Sequence, residues 1–275
     1  MDADAAFKEI RNDIAQGRTA QVGDKVIALA EADRDPFTLI KCLSLLKVVG
    51  DDAASKKIIR MLEDSLPETI DGKVEVAGAL RGLDYPASAY SILRTLEPDD
   101  AVRRMSAMCQ MDLDEYETAL DIILSVQDPT SRDRIMLTET YSALGEHKMA
   151  VATAEELLSK LPDDYEVQRC YASALVLAGM DKEAVKYVRA RLKDKDADAN
   201  ALAAFVMRVT GNIKAAAGYA TRALKIDPKH ISAMETLGIC LAQKGEIDKA
   251  RIVAGAINEA SPGNRAALNV LAYCE

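Results

Sequence analysis

The stretch Met234-Glu235-Thr236-Leu237-Gly238-Ile239-Cys240-Leu241-Ala242-Gln243-Lys244-Gly245-Glu246-Ile247-Asp248-Lys249-Ala250 decides the fold. It reads as a helix that stops at Gly245, followed by a second helix that carries a small residue, Ala250, five positions later. A glycine just past a helix ends it by taking a left-handed backbone conformation. A small residue at Ala250 falls where the paired helices cross, so a large side chain there would push them apart. Working outward, the same spacing recurs at Gly17/Val22, Gly50/Ser55, Gly145/Ala150, Gly179/Ala184 and Gly211/Ala216. Two further copies substitute Asp for the glycine, Asp84/Ala89 and Asp114/Ala119. The eight turn positions are separated by 33, 34, 30, 31, 34, 32 and 34 residues.

Such a period implies helical hairpins that cannot bury their apolar stripes alone and complete a core only by stacking on their neighbours. Eight units are expected: 3–35, 36–69, 70–99, 100–130, 131–164, 165–196, 197–230 and 231–264, with 265–275 opening a further helix. The prolines agree with this partition. Pro36, Pro67, Pro98, Pro129, Pro162, Pro228 and Pro262 fall at unit junctions, and Pro86 falls in the first turn of a second helix, where its missing N–H costs nothing. The third and fourth units are short, and Gly78 and Gly82 weaken the first helix of the third, so if the superhelix changes pitch or bends, 78–115 is the place expected.

Composition points the same way. Aromatic residues make up 4% of the chain and Trp is absent, while Ala, Leu and the charged helix formers are abundant, so an all-α protein is expected rather than a sandwich or barrel. A balance of 35 Lys+Arg against 44 Asp+Glu, net −9, argues against a general nucleic-acid binder. Cys42, Cys109, Cys170, Cys240 and Cys274 show no zinc or redox spacing and read as reduced core residues of a cytoplasmic protein. The acidic start, Met1-Asp2-Ala3-Asp4, is no signal peptide, and no apolar run approaches the roughly 20 residues of a membrane span. No phosphate loop, zinc-protease helix or Ca²⁺ loop occurs, and His147 and His230 read as surface residues without catalytic partners. Neither an enzyme nor a cofactor is expected.

The register of Met234, Leu237-Gly238, Leu241, Gly245, Ala250, Ala254 and Pro262 resembles the tetratricopeptide repeat (TPR) family. Unit 131–164 shows Leu137, Tyr141, Gly145, Ala150, Ala154 and Pro162 in the same register. The resemblance is strong over 131–264 and degenerate over 3–130, and the family's first aromatic is missing throughout, as in a divergent member or a coatomer-type helical relative. It implies a right-handed superhelical solenoid of about eight helix-turn-helix repeats plus a C-terminal helix. It also implies a concave groove lined by the fifth, ninth and twelfth residues of each unit.

The basic groove positions are Arg11, Lys47, Arg81, Arg104, Arg169 and Arg208, against the acidic Glu139 and Glu235. That excess is expected to suit an acidic or carboxylate-bearing protein segment, with Met108, Met111, Phe205 and Ile239 as apolar anchors. No groove position carries the Asn of the chaperone-binding carboxylate clamp that some family members have. A protein-interaction scaffold is therefore expected. The alternatives are the interaction portion of a longer enzyme or assembly, and a coat or secretion subunit joined through its helical ends. Leu268, Leu271 and Tyr273 on the final helix form a candidate self-association patch that would make a homo-oligomer.

Overall fold

The structure, a computed structural model, describes residues 3–192, 196–261 and 264–274. Among the described residues there are seventeen α-helices and no strand. Pro262, expected at a junction, lies outside the described residues. The other prolines all fall between helices or at a first helical position, as Pro36 and Pro86 do.

The chain divides into two compact units, Met1–Asp128 and Pro129–Glu275. The first unit holds α1 (Ala3–Ala15), α2 (Val22–Ala32), α3 (Pro36–Val49), α4 (Asp52–Glu63), α5 (Ile70–Gly82), α6 (Pro86–Leu93), α7 (Asp100–Asp112) and α8 (Tyr116–Leu124). The second holds α9 (Ser131–Ala143), α10 (His147–Lys160), α11 (Tyr165–Leu177), α12 (Asp181–Arg191), α13 (Ala197–Val209), α14 (Ile213–Ile226), α15 (Ile231–Gln243), α16 (Ile247–Ala260) and α17 (Arg265–Ala272).

One device closes all eight hairpins. Gly17, Gly50, Asp84, Asp114, Gly145, Gly179, Gly211 and Gly245 have φ between 60° and 85°. In each case the N–H of the next residue bonds back five positions to a carbonyl of the helix just ended. Examples are Asn212 to Met207 at 2.7 Å and Glu246 to Leu241 at 2.9 Å. This satisfies a carbonyl that the helix end would leave unpaired, and it turns the chain sharply enough for the second helix to fold back. Asp84 and Asp114 accept the conformation because a short polar side chain tolerates it better than most. Both also use their carboxylates, Asp84 with Lys47 at 3.0 Å and Asp114 with the Tyr116 hydroxyl at 2.8 Å.

The starts of the first helices are fixed as regularly. Asp35, Thr69, Asp99, Thr130, Asp164, Asp196, His230 and Asn264 each accept a backbone N–H of the helix that follows. Thr130 and Asp133 form a reciprocal capping box. Each Asp, Thr or Asn cap contributes about 1 kcal/mol and sets where a repeat begins.

Between those fixed points, apolar faces stack. In the second unit every second helix packs on its own first helix and on the next one, as α14 does on α13 and α15. The crossing residues Ala150, Ala184, Ala216 and Ala250 are fully buried. In the first unit the same register holds Val22, Ser55, Ala89 and Ala119, all buried. The Ser55 hydroxyl donates to the Asp51 carbonyl at 2.8 Å, so its burial leaves no polar group unpaired.

Candidate functional site

In the second unit the first helices α9, α11, α13, α15 and α17 lie side by side, each in contact with the next. The exposed face of this layer carries two adjoining cavities. One, of about 370 Å³, is walled by Ile135, Thr138, Glu139 and Ser142 of α9, by Glu166, Arg169, Cys170, Ser173 and Leu177 of α11, and by Phe205 of α13. The other, of about 670 Å³, runs on toward α17 past Tyr165, Asp198, His230, Ser232, Glu235 and Asn269. Glu166 and Arg169 border both, so the two form one continuous surface.

Polar groups along this surface are held in defined places. The Arg169 guanidinium lies 5.5 Å from the centre of the Phe205 ring and 3.8 Å from the Glu235 carboxylate. Arg208 approaches the same ring at 5.8 Å. Glu235 also accepts from the Asn269 amide at 2.6 Å, and the Tyr165 hydroxyl donates to Ser232 at 2.9 Å. Burial pushes the Tyr165 phenol up to about 12, so it stays protonated and remains a donor. Glu139 is an exposed residue on the wall of the first cavity. Partial desolvation by the surrounding protein holds its carboxyl above the ordinary carboxylate range, opposed by Arg169.

The structure brings together Arg169, Phe205 and Arg208 of the expected groove. Arg11, Lys47, Arg81, Arg104, Met108 and Met111 belong to the first unit. There Arg11 is exposed, and Met108 and Met111 are half-buried on α7. The basic excess does not survive. Lys47 pairs with Asp84 at 3.0 Å and Arg81 with Asp112 at 2.6 Å. Arg104 lies 4.0 Å from Asp100 and donates to the Asp128 carbonyl. With Arg169 facing Glu235, four of the six cations already have carboxylate neighbours on the protein, which cancels most of the field an acidic segment would feel.

Two expectations are corrected outright. Ile239 is 2% exposed and cannot serve as a groove anchor, because it packs in one apolar cluster with Ala266, Ala267 and Val270 of α17. His230 is no plain surface residue. Its Nδ1 accepts the Ala233 N–H at 3.3 Å to cap α15, and its Nε2 lies 3.0 Å from Asp198. The groove register did include Glu139, Ser142 and Ser173, but it passed over Thr138, Glu166 and Leu177. These occupy the eighth, second and thirteenth places of their units, and reading a wider stripe of each first helix would have found them. At the far end, Leu268, Leu271 and Tyr273 are 62%, 40% and 47% exposed.

The cysteine chemistry of this surface is quiet. Burial raises the Cys170 thiol, beside the first cavity, to about 11, so it is not a thiolate at neutral pH. Among the described residues no group of three or more His, Cys, Asp or Glu is placed to hold a metal ion. None of the described helices is long and apolar enough to cross a membrane.

A tetratricopeptide repeat family model matches residues 210–274, which include α14, α15, α16 and α17. A tetratricopeptide repeat protein from Parabacteroides merdae ATCC 43184 superposes on 87% of this chain and 98% of its own, with a TM-score of 0.51 and 14% identity. The fold is a TPR-like helical repeat. Yeast Tom70 covers 100% of this TPR-like chain at a TM-score of 0.50 and 14% identity. The alignment takes in 63% of Tom70, so this chain spans less than two thirds of that protein. Among curated proteins, none matches the TPR-like chain in sequence.

Proposed function

We propose that this protein is a non-enzymatic scaffold that holds a segment of a protein partner on the first-helix face of its second unit. The observation that carries the reading is the pair of adjoining cavities along α9, α11, α13, α15 and α17. They offer an elongated surface with apolar walls at Ile135, Leu177 and Phe205 and fixed polar groups at Arg169, Glu235 and Asn269. Apolar pockets spaced between oriented polar groups are what recognition of a peptide segment requires. An acidic segment along the whole groove is not part of this reading, because among the described residues only Arg11 and Arg208 of its six basic positions have no carboxylate within ion-pair distance. All five cysteines are free and buried thiols, which supports a reducing compartment such as the cytoplasm.

Filling the first cavity tests this. Ser173→Trp places an indole in the cavity without touching a crossing residue. Affinity capture followed by mass spectrometry is expected to lose the partners retained by the unmutated protein, while the thermal midpoint stays close to that protein's. A variant that folds and keeps every partner would remove the reading.

A further inference from the structure

We propose that the cavity between α9, α11 and α13 receives a cationic side chain, lysine or arginine, of the bound segment, with Glu139 as its counter-charge. This rests on the first-helix face being the binding surface and adds the chemistry of one of its pockets.

Glu139 is the unbalanced group of this cavity. Its carboxyl has no hydrogen bond and no ion-pair partner among the described residues. The one cation on the cavity wall, Arg169, lies against Phe205 and faces Glu235 instead. Glu166 on α11 adds a second negative charge to the same wall. Glu139 is exposed, yet the protein around its carboxyl disfavours the ionised form, a cost that no ion pair among the described residues offsets. A cation seated beside it would remove that cost. An acidic side chain would instead meet two like charges.

The rest of the pocket suits a long cationic chain. Ile135, Leu177 and Phe205 can cover an aliphatic stem, which lysine and arginine both bury while keeping the charged head at a polar site. The Ser142 hydroxyl already donates to the Thr138 carbonyl at 2.9 Å, so its lone pairs remain for an incoming N–H. A volume of about 370 Å³ is ample for one such side chain. The net charge of −9 adds a field that draws cationic segments toward the protein.

The sign of the pH dependence follows. The pocket binds a cation only while Glu139 is ionised, and its raised pKa brings protonation on at a higher pH than for a free carboxylate. Glu166 and Arg169 of α11 and Arg132 of α9 are the charges that act on it, the first raising its pKa and the two arginines lowering it. Affinity therefore falls on acidification, beginning above the usual carboxylate range.

The test uses the full chain and three acetylated, amidated peptides that differ only in a central arginine, citrulline or glutamate flanked by leucines. Isothermal titration at neutral pH should show the arginine peptide binding about tenfold tighter than the citrulline peptide, the scale of one close interfacial charge pair. In Glu139→Gln that ratio should fall to about one, since the counter-charge is gone. Equal binding of the arginine and citrulline peptides, a preference for glutamate, an unchanged ratio in Glu139→Gln, or no binding by any of the three overturns the inference. A second reading needs no variant. Carbon-detected NMR should show the Glu139 pKa moving down toward the ordinary range when the arginine peptide is bound, and an unmoved pKa counts against the inference. If Ser173→Trp abolishes partner capture while no charge preference is found, the scaffold stands and this assignment falls.

Discussion

Ala250→Leu is expected to destabilise the protein by about 1–3 kcal/mol, the usual cost of forcing extra methylenes into a packed site. Ala250 is fully buried in a cluster with Met234, Ala242, Ala254, Ile257 and Val270. It sits five residues after Gly245, whose left-handed backbone turns α16 back onto α15. The two helices approach closely because alanine presents only a methyl group at the crossing. A leucine must either leave its rotamer or part the helices, and either loss spreads to α17, which packs on both. Ala216→Leu on α14 should behave alike, since Ala216 is also fully buried. The exposed Lys225→Ala is the control and should stay within about 0.5 kcal/mol of the unmutated protein. An unchanged denaturation midpoint for Ala250→Leu would mean that the small residue is not what sets the crossing.

Gly238 on α15 supplies the second large effect, and here the sign is the test. A Cβ at this position would lie 2.8 Å from both Cγ methyls of Val270 and 3.3 Å from a methyl of Val253. By helix propensity alone, Gly238→Ala should stabilise by about 1 kcal/mol. Val270 is fully buried and β-branched, so it cannot swing aside, and α17 has to move instead. We therefore expect Gly238→Ala to destabilise the protein and to raise amide hydrogen exchange in residues 265–272. In a Val270→Ala background the two closest contacts are gone, only the 3.3 Å approach to Val253 remains, and the propensity gain persists, so the same substitution should become much less destabilising or stabilising. The coupling between the two sites should fall within about 0.5–3 kcal/mol, as for residues in direct contact. An equally destabilising Gly238→Ala in both backgrounds would place its cost elsewhere.

The turns were legible because their chemistry is restrictive. A left-handed residue excludes most side chains, so Gly17 through Gly245, with Asp84 and Asp114 between them, stand out at a repeating distance and all have positive φ. The helix starts were legible in principle too, through Asp35, Thr69, Asp99, Thr130, Asp164 and Asp196. His230 escaped because imidazole is an unusual cap, and only the placement of Ala233 and Asp198 around it reveals the role.

The groove was less readable, for a physical reason. A register shows which side chains leave one face of a helix, but the partners that quench a charge arrive from other helices. Arg81 meets Asp112 of α7, and Lys47 meets Asp84 of the turn before α6. Ile239 shares the groove register yet is buried, because α17 brings Val270 into the same cluster. Glu139 was counted as one charge among eight. Its distinction lies in having no ion-pair partner beside a cavity, which depends on where α11 places Arg169.

The proposed binding surface for a partner segment is the first-helix face of residues 129–275. Hydrogen exchange of the protein alone and with a captured partner tests it most directly, resolved by peptide along the chain. Slower exchange is expected in residues 135–142, 166–177 and 201–208, with α10, α12 and α14 unchanged. Protection confined to α10, α12 and α14, with α9, α11 and α13 exchanging as in the free protein, would contradict it.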